Sequence, residues 1–257
     1  MEGAWERAVA DLRVLDTAAL VHGSRATGLA AEDSDVDVLT SLPLDRLVQE
    51  LRSEHAGPPR FSILEHVRWA KVPRLILKHD ATGTEVDVIS ESVDPQAPER
   101  DEVVRTLLLE EPRARELALR IGRWVRKHTP SMPPRLGFPN TYTFRITGFH
   151  YLMTRPRGPL LPPLAASGHL LCHGAVASAA AGSAEGSPTS AEELFREWLG
   201  RLAGAEEAGL WADLRSPWEA GLGWRVVDPV SGHNLTRFRG AQPSTIAALA
   251  RQEIAGK

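Results

Sequence analysis

The stretch that most limits the possible folds of this chain is Ser34–Leu39, which reads SDVDVL. Polar and apolar residues alternate along it, which is typical of a strand with one face in the core. Because side chains two positions apart on a strand project to the same face, Asp35 and Asp37 would stand side by side and repel each other. A divalent cation would offset that repulsion. The stretch therefore predicts a half-buried strand with a candidate metal site on its polar face.

A later stretch, Glu85–Ile89, alternates in the same way and places Asp87 between two valines. If this stretch forms a neighbouring strand, Asp87 comes within metal-sharing distance of Asp35 and Asp37. Three carboxylates around two Mg²⁺ ions are suited to in-line phosphoryl or nucleotidyl transfer, because the metals activate the attacking hydroxyl and neutralise the leaving group.

A small-residue turn precedes the first of these strands. The apolar run at 18–22 ends at Gly23, which is followed by Ser24. A glycine lets the backbone approach a phosphate closely, and its amides together with a serine hydroxyl can hold triphosphate oxygens. We therefore expect Gly23 and Ser24 to contact the triphosphate of a nucleotide.

The composition excludes several classes of protein. Of 257 residues, 42% are hydrophobic and 25% are charged, with a formal net charge of −3, so the bulk charge does not indicate a nucleic-acid binder. The single cysteine, Cys172, excludes an intramolecular disulfide. No apolar run is long enough for a membrane span, and acids near the start argue against a transit peptide. We expect a cytoplasmic or mitochondrial protein that does not bind a membrane.

The predicted secondary structure changes after Asp94-Pro95. Before it, strand-like stretches predict a small mixed sheet, at 18–22, 35–40, 61–65, 73–79 and 85–90. Helical spacing predicts a first helix at 3–15 and another at 42–53. After it, the pattern is mainly helical, with a final helix expected to begin at an N-cap Ser244, and 164–190 is predicted to be mostly loop.

The stretch His22–Leu39, HGSRATGLAAEDSDVDVL, resembles the Gly-Ser…Asp-x-Asp signature of DNA-polymerase-β-type nucleotidyltransferases. Later segments resemble the branch that contains terminal uridylyltransferases and poly(A) RNA polymerases. These segments are EEPRARELALRIGRWVRKH, GFPNTYTFRITGFHYL, PRGPLLPPL and VVDPVSGHNLTR, in the family's order along the chain. The late Asp-Pro…His-Asn element is the feature that indicates this branch.

The resemblance implies an α+β fold with two domains. A nucleotidyltransferase palm domain with a small mixed sheet would span 16–96. A mainly helical, poly(A)-polymerase-like domain would span 97–257 and be completed by the N-terminal helix 1–15, with the active site in the cleft between the domains. The implied cofactor is Mg²⁺ or Mn²⁺.

The resemblance also implies a role for individual residues. Asp35, Asp37 and Asp87 would bind the metals, and Asp87 would also help to activate the RNA 3′ hydroxyl. Gly23 and Ser24 would hold the triphosphate. In the later segments, Thr141 would contact phosphate and Tyr142 would stack on the base. Asp228 and His233 would contact the edge of the base. Asn234 and Arg237 would support the loop that carries Asp228 and His233.

The chain departs from the family pattern at three places. The family usually has two lysines four apart on the Trp-containing helix, and here these positions are Gly122 and Arg126. Arg126 is therefore the predicted triphosphate contact, with Arg123 as a substitute only after a local shift. The family usually contacts the sugar with an Asn-Thr pair, and these positions are Arg105-Thr106 here. The spacing from Asp228 to His233 is one residue shorter than in the family pattern.

The function predicted from these residues is template-independent addition of NMP from NTP to an RNA 3′ end, with release of pyrophosphate. His233 favours UTP as the nucleotide. The alternative is ATP, which would make the chain a poly(A) polymerase of the same fold. Two other functions stay open. One is a nucleotidyltransferase that acts on a small molecule or a protein, and the other is a catalytically silent structural or RNA-binding subunit of a larger assembly. A partner protein could select the RNA, since no RNA-binding module is recognised.

Overall fold

The computed structural model describes residues 3–32, 34–53, 60–70, 72–165, 189–217, 223–236, 238 and 240–256. The chain divides into two compact units, Met1–Glu102 and Val103–Lys257. The first unit contains a mixed sheet with helices and the second is mainly helical, so the predicted α+β fold class is confirmed. Among the described helices, none has the length and apolarity that a membrane crossing requires.

The first unit alternates short helices with the strands of one sheet. Its helices are α1 (Ala4–Arg13), α2 (Gly23–Ala26), α3 (Leu44–Arg52) and the start of α4 (Ala97–Glu110). Its strands are β1 (Leu20–His22), β2 (Val36–Thr40), β3 (Phe61–Val67), β4 (Arg74–His79) and β5 (Glu85–Ser90). The five strands lie where the strand-like stretches predicted them, within two residues at each end.

The sheet has the order β1-β2-β5-β4-β3. Strands β2 and β5 run parallel at its centre, and the other neighbours are antiparallel. Alternation places the valines of β2 and β5 on one face, where they pack in the core with α1 and α3. The polar residues between those valines therefore project from the opposite face.

Helix α1 belongs to the first unit. We expected it to complete the helical domain, but Ala8, Val9 and Leu12 are buried in the same core cluster as the sheet valines. The unit boundary at Glu102, inside α4, also lies beyond the predicted boundary at residue 96. An amphipathic pattern shows that a helix has an apolar face and does not show which partner covers it.

The second unit is built on helices that pack around aromatic side chains. After α4 come α5 (Pro112–His128), α6 (Thr141–Thr154), α7 (Ala191–Ala208) and α8 (Gln242–Ile254), with a parallel strand pair β6 (Leu210–Ala212) and β7 (Trp224–Val226). The rings of Trp124, Phe144 and Trp198 meet edge to face, with centroids 5.5–6.5 Å apart. These contacts join α5, α6 and α7 into one core.

Three local predictions differ from the structure. Gly23–Ala26 is a short helix where we expected only a turn, and the strands β6 and β7 were not predicted because each is only three residues long. Helix α8 is capped by Ala241 and carries Pro243 in its first turn, so Ser244 lies inside the helix and is not its N-cap. Most of the loop predicted at 164–190 falls outside the described residues, as does Cys172.

Candidate active site

The parallel pairing of β2 with β5 brings the three predicted metal ligands together. Asp37 and Asp87 are direct partners in the register, and Asp35 immediately precedes β2. One carboxylate oxygen from each of the three lies within 4.8 Å of the others. The sequence folds this way because Val36, Val38, Val86 and Val88 must all enter the core, which directs the intervening acids to the other face.

The electrostatics of this cluster favour a bound cation. Burial, followed by the charges of Asp35, Asp87 and Asp101, raises the pKa of Asp37 to about 7. Burial also raises the pKa of Asp87, although the nearby Arg74 opposes this shift. Three carboxylates that repel one another in a partly dehydrated place gain stability from a metal ion, which removes the repulsion.

Asp87 carries a further sign that the site fits a metal. Its Oδ2 accepts a hydrogen bond from Arg74 Nη1 at 3.1 Å. Its Oδ1 is buried and has no hydrogen-bond partner among the residues that the structure describes. A buried unpaired carboxylate oxygen is costly, and a set of carboxylate oxygens is the donor set that Mg²⁺ and Mn²⁺ prefer. The residues present therefore fit a divalent cation.

Gly23 is required by the geometry around Asp37. Its φ of 69° lies in the left-handed region, and a Cβ there would stand 2.6 Å from Asp37 Oδ2. Its N–H donates to Asp101 Oδ2 at 2.8 Å. The amide that we expected to hold a phosphate oxygen is thus occupied by a carboxylate, and it could bind phosphate only if Asp101 moved. Ser24 lies in the first turn of α2, partly buried.

Arg25 organises the loop that leads to Asp35. Its guanidinium donates to the backbone carbonyls of Glu32, Ser34 and Asp35, and it also lies over the ring of Trp5 at 5.5 Å. These contacts tie the start of β2 to α1 and α2. Arg25 therefore positions Asp35, the one carboxylate of the cluster that is not part of a strand.

The predicted nucleotide contacts lie in the second unit. Thr141 and Tyr142 are partly buried in the first turn of α6, which is capped by Asn140 through a hydrogen bond to the Thr143 amide. Arg126 is exposed on α5. Their roles toward a nucleotide remain predictions.

Asp228 builds the loop that carries His233. Its Oδ1 accepts the backbone N–H groups of Val230 and Ser231 at 2.9 and 2.8 Å, and its own N–H donates to the His233 carbonyl at 2.8 Å. The His233 side chain is exposed. Asn234 closes the loop through Oδ1, which accepts the Thr236 amide at 3.0 Å, and Arg237 lies outside the described residues. Asp228 thus shapes this loop, and contact with a base edge stays a prediction for both residues.

Ion pairs engage several of the basic residues near α5. Arg113 pairs with Glu111, Arg120 pairs with Glu192, and Lys127 pairs with Glu253 at 2.7 Å. These pairs reduce the positive charge that the region can offer to RNA or to a nucleotide. Within α5, the predicted triphosphate contact Arg126 therefore gains importance relative to Lys127.

Sequence reasoning missed three residues near these sites. The sequence indicates only weakly that Arg74 lies near the acidic cluster. Arg74 begins β4, a predicted strand, and lies on the same face as Ile76, which is the register partner of Asp87. No sequence pattern indicates a role for Asp101 or Arg145. Asp101 contacts Gly23 and Arg145 contacts α5, and each contact joins segments far apart in sequence. Only the folded chain shows which residues they approach.

Known proteins resemble both the first unit and the chain as a whole. Residues 5–110 match the family model described as a nucleotidyltransferase domain. A search of curated proteins finds no similar sequence. The similar solved structures include mtPAP in complex with GTP, with a TM-score of 0.74 at 14% identity, covering 98% of this chain and 62% of that chain. This chain thus spans less than two thirds of mtPAP.

Two structures of the Cid1 poly(U) polymerase are also similar. A histidine-to-asparagine variant bound to MgATP, from work on UTP selectivity, gives a TM-score of 0.72 at 17% identity, over 98% of this chain and 87% of that chain. Cid1 in complex with its short product ApU gives 0.69 at 16% identity, over 98% and 85%. Residues 5–110 thus match a nucleotidyltransferase domain model, and the chain has the fold of these poly(A)- and poly(U)-polymerase structures.

Proposed function

We propose that this chain is a divalent-metal-dependent RNA 3′-terminal nucleotidyltransferase. The 3′ hydroxyl oxygen attacks the α-phosphorus of a nucleoside triphosphate and forms a new phosphodiester bond. The bond from that phosphorus to the β-phosphate oxygen breaks, and pyrophosphate leaves with its electrons. The hydroxyl proton passes to the Asp87 carboxylate. RNA and NTP are thus converted to RNA longer by one NMP and pyrophosphate.

The observation that carries this proposal is the convergence of Asp35, Asp37 and Asp87 on one face of the sheet. An acidic face that served only solubility would keep its carboxylates apart and solvated. Here two of the three are partly buried, and the pKa of each of those two is raised. Such repulsion is expected where a cation completes the site.

The triad would hold Mg²⁺ or Mn²⁺ through its carboxylate oxygens. When bound, the metal neutralises charge on the phosphates and makes the attacking hydroxyl more acidic. The protein's own contribution is the alignment of three ligands by two strands and by the loop that Arg25 holds. Arg74 partly balances Asp87 and so limits the repulsion within the cluster.

For the nucleotide, we propose contacts by Ser24, Arg126 and Thr141 to phosphate and by Tyr142 to the base. Stacking of an aromatic ring on a base contributes about 1–3 kcal/mol and suits every base. Base choice would then depend on the loop that Asp228 builds and on the exposed His233 imidazole. We favour UTP because of this histidine, and ATP is the alternative. The similarity to a Cid1 variant from work on UTP selectivity supports testing it.

A second candidate function is a catalytically silent subunit that binds RNA or stabilises a larger assembly. The observations that favour it are the Gly23 amide engaged by Asp101 and the absence of a charge at Gly122. The intact carboxylate triad argues against it. A partner protein that selects the RNA, and a cytoplasmic or mitochondrial location, remain predictions.

One assay separates these functions. Purified protein is incubated with Mg²⁺ or Mn²⁺ and each labelled NTP in turn, with and without a short RNA. RNA-dependent extension that Asp37→Asn abolishes and Asp80→Asn preserves supports the proposal, because Asp80 is an exposed acid of the same unit. Transfer to an acceptor other than RNA would instead support a small-molecule or protein substrate. No transfer with any NTP under either metal would favour the silent subunit.

A further inference from the structure

The hairpin of β3 and β4 carries an exposed tryptophan at its tip. Trp69 is 97% exposed, more than any other large hydrophobic side chain in the part of the chain that the structure describes. It follows the end of β3 by two residues. An indole ring is a large apolar surface, and leaving it almost wholly in water gives up the free energy that burial would provide. Contact with a ligand would recover that free energy.

The segment that forms this hairpin differs in charge from the chain as a whole. Residues 60–79 hold five Arg or Lys residues and a single acid, Glu65, whereas the formal net charge of the chain is −3. Basic residues interleaved with an exposed aromatic ring are typical of surfaces that bind single-stranded nucleic acid. The charge of the hairpin is thus complementary to a phosphate backbone.

Arg68 lies directly before the tryptophan and is oriented by two neighbours. Its Nη2 donates to Asp45 Oδ1 at 2.8 Å, and its Nε donates to His66 Nδ1 at 3.3 Å. The Arg68 side chain is still 58% exposed and that of Asp45 is 70% exposed. A surface ion pair of this kind contributes little free energy, so a phosphate can compete with Asp45 for the guanidinium.

The hairpin also reaches the acidic cluster. Arg74 Nη1 donates to Asp87 Oδ2 at 3.1 Å, and Val67 is the register partner of Arg74. Because Trp69 is two residues from Val67, the Cα atoms of Trp69 and Arg74 lie within about 13 Å of each other. An RNA chain with its 3′ end at Asp87 would therefore have upstream nucleotides within reach of the indole ring.

We propose that Trp69 and Arg68 form a binding surface for single-stranded RNA, in which the ring stacks on a base upstream of the 3′ end and the guanidinium contacts a phosphate. This inference rests on the proposed function for the position of the RNA 3′ end. Every base has a face that can stack, so the surface holds RNA without selecting its sequence. A protein partner fits less well, because the centres of protein interfaces are depleted of charged residues.

The test measures binding of a short fluorescein-labelled oligouridylate to the full chain by fluorescence anisotropy, with Mg²⁺ and without nucleotide so that no extension occurs. Trp69→Ala should weaken binding at least about fivefold, because one stacked base is lost. The loss should be similar for an oligoadenylate. Trp69→Phe keeps an aromatic ring and should retain most of the affinity. Val14→Ala is the matched control, at an apolar side chain of the same unit that is 65% exposed, and should leave affinity unchanged.

Salt and RNA length separate this surface from the reacting end. Arg68→Gln should reduce the slope of log affinity against log salt concentration by about 0.7, the value for one phosphate contact of a single strand. In extension assays, Trp69→Ala should raise the KM for the oligonucleotide and have a much smaller effect on a dinucleotide, which has one base upstream of its 3′ end. Both residues are exposed, so both variants should keep the wild-type melting temperature.

Wild-type affinity for the oligonucleotide in Trp69→Ala would overturn the inference. An equal loss for the dinucleotide would overturn it as well, because the defect would then lie at the reacting end. If Trp69→Ala keeps its RNA affinity but loses a dimer that light scattering detects for wild type, the ring serves a protein contact and the inference is wrong. The proposed function fails separately. A wild type that binds the oligonucleotide through Trp69 but extends no RNA with any NTP would refute the activity and leave this RNA surface in place.

Discussion

The acidic cluster on the sheet and the arginine pair Arg126 and Arg145 on the helices are assembled in different ways. In the sheet, hydrogen bonding between β2 and β5 sets the register, and Asp37 and Asp87 face each other as a direct result. In the helical unit, α5 provides Arg126 and a gap at Gly122, and a side chain from α6 fills the gap. Strand pairing makes the acidic cluster predictable from an alternating pattern, whereas helix packing leaves the position of Arg145 to the tertiary structure.

This difference has a consequence for tolerance to change. A strand ligand cannot be replaced from elsewhere, because the ladder places only one residue opposite another. A helix face can receive a charge from any neighbouring helix that reaches it. Substitutions in the sheet should therefore have larger effects than substitutions on the helices.

The largest effect is expected for Asp37→Asn. This change removes a charge and leaves the side-chain volume unchanged, so the metal site loses its most buried ligand. We expect kcat/KM for NTP to fall by at least about a thousandfold, equivalent to several kcal/mol of transition-state stabilisation. Single-turnover RNA extension with Asp80→Asn as control measures it. Activity within tenfold of wild type would place the metals elsewhere.

A smaller effect is expected for Arg126→Ala on the helical side. The exposed guanidinium makes little contribution to folding, so the variant should keep its melting temperature. The KM for NTP should rise about tenfold with a smaller change in kcat, because one charge-assisted contact to phosphate is lost. Arg196→Ala, at an exposed arginine of α7 with no predicted nucleotide role, serves as the control. An unchanged KM would show that Arg126 is only a surface charge.

The stability of the metal-free protein should depend on pH through the acidic cluster. The pKa of Asp37 is about 7 in the folded chain, above its ordinary value of 3.8, with Asp35, Asp87 and Asp101 facing it and Arg74 opposing them. The folded state therefore holds a proton that the unfolded state releases between about pH 4 and pH 7. Stability falls as the pH rises through this window and is lowest above it.

Asp37→Asn should consequently be more stable than wild type at pH 8, by about 1–4 kcal/mol without metal. Added Mg²⁺ should stabilise wild type and have less effect on the variant. Urea denaturation at pH 5 and pH 8, with and without Mg²⁺, measures both effects. If the two proteins show the same pH dependence, the repulsion in the cluster is weaker than the geometry indicates.

The smallest effect is expected for His233→Ala. The loop backbone is held by Asp228 and Asn234, so the change should leave the fold intact. A histidine that leaves room for a pyrimidine and crowds a purine would lose that discrimination, and ATP incorporation should rise by several-fold with little loss of UTP incorporation. The ratio of kcat/KM for UTP over ATP is the measurement. A ratio that does not move would remove the case for a uridylyltransferase.

Much of the first unit could be predicted from sequence. The alternating valines and aspartates of β2 and β5 indicated both the strands and the face on which the acids lie. The loop before β2 could not be predicted in detail, because Arg25 holds it through backbone carbonyls that have no sequence pattern. The hydrogen bond from the Gly23 amide to Asp101 could not be predicted either, since Asp101 belongs to a helix that begins much later in the chain.

By itself, the sequence determined the strands, their polar face, the helices of the second unit and the three carboxylates, because each depends on local periodicity and on which side chains must be buried. Only the tertiary structure decided that α1 covers the sheet, that Arg74 balances Asp87 and that Arg145 occupies the space over Gly122. These contacts join residues that are distant along the chain. Their energies arise from packing and charge, and no local pattern encodes which distant segment will meet another.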